Sequence, residues 1–218
     1  MARGLRARAT VAAALAVAGA AAVLPAPAAA GFRAQLERRG LVELTNVEVE
    51  LRYATKDNFT EAVLPGYCGP HAFLRRRAAR ALARAQAALA PDGLALRVYD
   101  AYRPARASRA MVRWARRTGH ERLLHGLIAP RSNHNRGAAV DLTLVRAATG
   151  RPLDMGTPYD SFSSRAATRA VGGKPLRNRL RLKRALEREG FRNYRREWWH
   201  FDFPRELGAP RIDVALGC

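Results

Sequence analysis

A chain of 218 residues holds one domain with a full hydrophobic core and is short for several. Its 39 Lys plus Arg against 18 Asp plus Glu give a formal net charge of +21. The arginines are spread along the chain rather than gathered on one face with interleaved aromatics, which argues against a nucleic-acid binder; a basic protein of this kind is suited instead to loose association with anionic envelope polymers or lipid head groups.

In chain order, residues 1–30 read as a secretory leader. Arg3, Arg6 and Arg8 form a basic start, Val11 to Leu24 an apolar run, and Ala28-Ala29-Ala30 before Gly31 a small-residue cleavage site. A membrane anchor is the other reading of the run, but it is short and alanine-rich for a span. The expected mature protein is one domain, residues 31–218, exported to the periplasm or another extracytoplasmic part of the envelope. The cysteines Cys68 and Cys218 are an even pair, which in an oxidising compartment predicts a disulfide tying the C-terminus to the loop at Gly66-Tyr67-Cys68.

Alternation of apolar and polar residues predicts strand over Leu41–Leu44 and Val47–Tyr53. Pro70 to Leu89 has helical spacing and is stopped by Pro91-Asp92-Gly93. Leu94 to Asp100 reads as a second strand, followed by Ala101-Tyr102-Arg103-Pro104 and a helix from Ala105 to Thr118. Gly137 to Leu144 reads as a third strand, with Val140, Leu142 and Leu144 on one side and Ala139, Asp141 and Thr143 on the other. Thr149 to Lys174 is irregular, and a long loop inside a compact domain is often functional. Asn178 to Glu189 is an amphipathic helix ended by Gly190, and Trp198 to Phe203 is the last strand. These elements give an α+β domain: a small, mainly antiparallel sheet flanked by helices.

The candidate chemistry lies in two stretches. In Arg131–Leu144, His134 stands seven residues before Asp141, with Gly137 between them. Alone, this pair reads equally well as hydrogen-bonding loop residues. The second stretch, Glu197-Trp198-Trp199-His200-Phe201-Asp202-Phe203, places a carboxylate among aromatics, where an apolar surround raises its pKa toward the range useful for proton transfer. Together the two offer two imidazoles, a carboxylate and a spare Glu, the inventory of a catalytic zinc site with a fourth position for water. In a strict strand Glu197 and His200 face opposite sides, so the hypothesis requires a bend near Trp198 or Glu197 in the entering loop.

The segments Leu51–Thr60, Asp100-Ala101-Tyr102-Arg103-Pro104, Ser132-x-His134-x-x-Gly137-x-Ala139-x-Asp141, Asp154-Met155-Gly156-Thr157 and Glu197-Trp198-Trp199-His200 together resemble the D-alanyl-D-alanine dipeptidases, the VanX-type zinc peptidases, over most of the expected mature chain. The resemblance implies the zinc D-Ala-D-Ala peptidase (hedgehog/DD-peptidase-like) fold and one Zn2+ per chain held by His134, Asp141 and His200. It further implies Glu197 as general base and acid, Arg103 as transition-state stabiliser, and hydrolysis of a small D,D-dipeptide to two D-Ala, with Ser132 and Asp154 as candidate substrate contacts. The alternative is a zinc D,D-carboxypeptidase or endopeptidase acting on peptidoglycan stem peptides. The leader departs from the cytoplasmic resistance-type members and points to wall-peptide turnover or recycling.

Overall fold

The computed structural model describes Met1 and residues 27–217. The expected leader therefore lies outside the described residues apart from Met1 and its last four positions, and so does Cys218. In chain order the elements are α1 (Pro27–Arg38), β1 (Leu41–Glu43), β2 (Glu48–Val49), β3 (Phe73–Arg75), α2 (Arg76–Leu89), β4 (Leu94–Asp100), α3 (Ala105–Arg117), β5 (Ala139–Arg146), α4 (Gly173–Arg188), β6 (Arg192–Asn193) and β7 (His200–Asp202). The α+β class with a small, mainly antiparallel sheet is as expected. Five strands run in the order β2-β4-β5-β7-β6, parallel only between β2 and β4, and β1 pairs with β3 in a separate two-stranded ribbon.

Several boundaries differ from the sequence reading. Arg52–Ala54 forms a 3-10 turn rather than strand. Phe73–Arg75, expected as helix, is strand β3, and all three residues are buried. Arg75 explains part of this: its guanidinium donates to the carbonyl oxygens of Arg136 (2.7 Å), Pro210 (3.2 Å) and Arg39, so the side chain staples three loops. α4 begins at Gly173, earlier than expected, and β6 was not anticipated.

β4 and β5 are the spine. Leu96, Val98, Leu142 and Leu144 are fully buried in the core with Leu82 of α2 and with Leu182 and Leu186 of α4. Successive strand residues alternate faces, so Asp141 points away from Leu142. Register does the rest. Val98 pairs with Leu142 but Asp100 with Asp141, a bulge that inserts one extra residue in β4. Without it, Asp100 would follow Val98 to the core face; with it, Asp100 joins Asp141. Asp141 in turn pairs with His200. α3 buries Ala107, Met111, Val112 and Ala115 and turns Arg106, Arg109, Arg113, Arg116 and Arg117 outward. The long stretch before α4 is held by Arg179, a fully buried cation in α4 whose guanidinium donates to the carbonyls of Met155 (2.6 Å), Arg165 (2.9 Å) and Ala167 (2.8 Å).

Candidate active site

His134 sits on a 3-10 turn, Asn133–Arg136, whose start is closed by a capping box. Ser132 Oγ accepts from His134 N (3.2 Å), and Asn135 Oδ1 accepts from Ser132 N (3.0 Å). The turn ends at Gly137 in the left-handed region, φ +66°, where an added Cβ would lie 2.9 Å from Leu41 Cδ2. Asn135 is fully buried and donates to Arg103 O (2.9 Å) and Ser108 Oγ (3.0 Å), while Arg103 N donates to His134 O (3.1 Å). The loops carrying His134 and Arg103 are thus laced together.

Three donor atoms converge. His200 Nδ1 is 2.9 Å from Asp141 Oδ1, His134 Nε2 is 3.3 Å from the same oxygen, and the two ring nitrogens are 3.1 Å apart. The other ring nitrogens are engaged in a way that sets the tautomers. His134 Nδ1 lies 2.7 Å from Ala101 O, a carbonyl that can only accept, so Nδ1 carries the proton and Nε2 presents its lone pair. His200 Nε2 lies 3.2 Å from Asp202 Oδ1, itself held by Asn133 Nδ2 at 3.0 Å, which leaves His200 Nδ1 for the centre. Burial raises the Asp141 carboxyl, but His134 and His200 more than offset this and hold it far below the usual carboxylate range. His134 Nε2, His200 Nδ1 and an ionised Asp141 oxygen lie within 4.8 Å of one another, a group that can hold a metal ion, whose binding displaces the proton from the His200 nitrogen that faces it.

Glu197 lies in the turn entering β7, where Glu197 N donates to Tyr194 O (2.9 Å). This meets the geometric requirement set by the sequence: Glu197 precedes the strand and turns to the same side as His200, with Oε2 4.0 Å from His200 Nδ1. It is 8% exposed, and burial pushes its carboxyl up to about 7, against the opposing pull of His200. Arg103 is also 8% exposed. Its Nε and Nη2 bind Asp100 Oδ2 at 2.9 and 2.7 Å, its Nη1 reaches Met111 Sδ at 3.3 Å, and its guanidinium carbon lies 5.0 Å from the Tyr53 ring centre. Burial opposes the charge, but the Asp100 carboxylate more than offsets this and keeps the guanidinium protonated.

His134, Asp141, His200, Glu197, Arg103 and Ser132 line one cavity of about 190 Å³, and Asp100 supports Arg103 from behind. Phe59, Met111, Leu127, Ile128 and Phe162 form its apolar wall. Asp154 does not line it. Asp154 is exposed in a neighbouring cleft of about 940 Å³, and its Oδ1 accepts from Gly156 N (2.8 Å). The residue from this segment that reaches the cavity is Asp160, at a φ of +57° that few non-glycine residues adopt. Its Oδ2 accepts from Tyr53 OH at 2.9 Å. Burial, then the charge of Asp141, raise its carboxyl well above the ordinary range. The sequence reading passed over Asp160, Tyr53, Asp100 and Asp202. Asp160 lies in the irregular stretch already marked as functional, and Tyr53 and Asp100 lie in the family-like segments; Asp202 stands two residues after His200.

Fold and site together define a hydrolase of the metallopeptidase type. Residues 39–214 match the family described as D-ala-D-ala dipeptidase. The chain belongs to that family. It is 35% identical over 175 residues to a D-alanyl-D-alanine dipeptidase of Escherichia coli, covering 79% of this chain and 87% of that one. It is 33% identical to one of Enterococcus faecium (71% and 85% covered) and 32% identical to one of Streptomyces coelicolor (75% and 89%).

Proposed function

We propose that the protein is a zinc-dependent dipeptidase that hydrolyses D-Ala-D-Ala to two D-Ala during cell-wall peptide turnover. The observation that carries this is the closure of His134, Asp141, His200, Glu197 and Arg103 around one cavity of about 190 Å³, below the ~300–1,000 Å³ of drug-sized ligand pockets. Such a space can take a molecule the size of a dipeptide.

The donor set, two neutral imidazoles and a carboxylate with both imidazoles fixed by their outer hydrogen bonds, fits Zn2+ with His134, Asp141 and His200 as ligands. Bound there, zinc supplies Lewis-acid polarisation of the peptide carbonyl and lowers the pKa of water. Glu197 accepts the proton of the attacking water at its carboxylate and delivers it to the leaving amine; its low exposure and pKa near neutrality suit both halves of that transfer. Arg103, preset by Asp100 and the Tyr53 ring, donates to the oxyanion of the tetrahedral intermediate. Asp160, rather than the Asp154 expected as a substrate contact, accepts the free ammonium group of the substrate at one end of the cavity. Ser132, whose hydroxyl can still donate, is placed to meet the carbonyl or carboxylate.

Export through the 1–30 leader to the periplasm or another extracytoplasmic part of the envelope fits the same reading, as does a Cys68–Cys218 disulfide. In support of the bridge, Leu216 N donates to Gly66 O at 2.7 Å, so the chain end runs beside the Cys68 loop. No helix among the described residues is long and apolar enough to cross a membrane. The test is substrate length. Purified protein releases D-Ala from D-Ala-D-Ala and leaves a pentapeptide stem largely intact; equal rates on both would transfer the reading to a D,D-carboxypeptidase.

A further inference from the structure

The Tyr159 hydroxyl stands beside the metal-binding group, and the proposed reaction gives it no task. Its oxygen is 3.1 Å from Asp141 Oδ2 and 3.1 Å from the Tyr53 hydroxyl. A phenol has one proton to give. The Tyr53 proton goes to Asp160 Oδ2. For the Tyr159 proton, the ionised Asp141 carboxylate is a stronger acceptor than a neutral phenol. The two oxygens of Asp141 therefore have separate surroundings. Oδ1 faces His134 Nε2 and His200 Nδ1, whereas Oδ2 faces Tyr159 OH and, at 3.7 Å, Arg103 Nη2.

Packing fixes the direction from which this proton comes. The Tyr159 ring lies 4.8 Å from the Tyr99 ring, 5.5 Å from that of Trp199 and 6.2 Å from that of Tyr53, measured between centres. Its neighbour in sequence is Asp160. The loop that brings a carboxyl to the far end of the cavity is thus pinned, one residue earlier, to the carboxylate that faces the two histidines.

We propose that Tyr159 is a positioning residue: its hydroxyl holds Asp141 Oδ2, keeps the carboxylate from rotating, and so commits Oδ1 to the metal. The inference rests on the zinc reading above and deepens it. Partners of this kind to a metal ligand typically change metal affinity about 10–100-fold. Tyr159→Phe keeps the ring and its packing and removes only the hydroxyl.

The experiment is zinc affinity of the full chain by competition with a chromophoric chelator, with no substrate present. Tyr159→Phe is expected to bind zinc about 10–100-fold more weakly than the wild type and to show a shifted visible spectrum with Co2+ in place of zinc. The metal-free melting temperature should fall by no more than the loss of that one hydrogen bond to a charged group predicts. Tyr53→Phe, which removes the neighbouring hydroxyl without touching Asp141, should bind zinc as the wild type does. Unchanged zinc affinity in Tyr159→Phe overturns the proposal, as does an equal loss in both variants. A fall in metal-free melting temperature with zinc affinity intact assigns Tyr159 to packing and also overturns it. A wild type that binds no zinc is a different failure, which removes the metal reading on which the proposal stands.

Discussion

Replacing Asp160 by Asn tests how the cavity receives its substrate. The side chain keeps its size and can still accept from Tyr53 OH, now at 2.9 Å from Asp160 Oδ2, but it loses the capacity to become an anion. In the free protein, burial and then the charge of Asp141 raise the Asp160 carboxyl well above its ordinary range, which favours the protonated form. An incoming ammonium group reverses that balance and draws the carboxyl into its ionised form. Breaking a fully buried ion pair costs about 3–5 kcal/mol. Asp160 retains some exposure and must first give up a proton, so the applicable scale is a hydrogen bond to a charged group, about 1.5–3 kcal/mol. That corresponds to a loss of roughly 10–150-fold in kcat/KM for D-Ala-D-Ala, most of it in KM, because the ammonium contact is the same in ground and transition states. The sign with pH follows from the raised pKa. Below pH about 7, where an α-amino group is still charged, wild-type KM should fall as pH rises and Asp160 ionises, and KM of Asp160→Asn should lose that dependence. Steady-state D-Ala release across pH measures both. A variant with wild-type kcat/KM would refute the ammonium assignment.

Arg103→Ala removes a transition-state donor and is expected to lower kcat by about 10²–10³, or roughly 2.7–4 kcal/mol, with a small change in KM; a pure KM effect would contradict its role at the oxyanion. Asp202→Asn weakens the acceptor at His200 Nε2 and should reduce zinc affinity about 10–100-fold, read by the same chelator competition used for Tyr159. Asp213 binds Arg106 N and Nε at 2.9 Å and Arg109 Nη2 at 2.8 Å, and these contacts hold its carboxyl below the ordinary range although burial opposes them. A carboxyl with a depressed folded pKa stabilises above its unfolded pKa and loses that contribution as pH falls through the folded value. Asp213→Asn should therefore destabilise at neutral pH by about 0.5 kcal/mol, scaled down for a partly exposed pair, and the difference should vanish in acid; thermal melts at several pH values measure it.

The site was more legible than the fold around it. His134, Asp141, Glu197 and His200 lie on two short runs whose residue types together suggest a metal site, whereas Arg103 stood out among the many arginines only through the resemblance of its segment to the dipeptidases. The misread segments share a cause. Phe73–Arg75 continues the apolar spacing of α2 backward, and nothing local shows that Arg75 is spent on three loop carbonyls. Arg179 does the same for the stretch before α4. Among 39 Lys plus Arg, a buried carbonyl-binding arginine looks like any surface cation. Asp160 was hidden for a related reason. Its role depends on a left-handed backbone and on Tyr53, 107 residues away, whereas Asp154 sits in the more conspicuous motif and serves a local turn. The β4 bulge that turns Asp100 toward Arg103 is likewise a matter of register between strands, which periodicity within one strand does not carry.

The central claim is that Glu197 works with a metal held by His134, Asp141 and His200. Its most direct test is zinc content measured beside D-Ala release from D-Ala-D-Ala, for wild type and Glu197→Ala, before and after chelation. The expected result is one zinc per chain in both proteins, release by the wild type alone, and loss of that release on chelation with recovery on adding zinc. Release that survives both chelation and Glu197→Ala would contradict it.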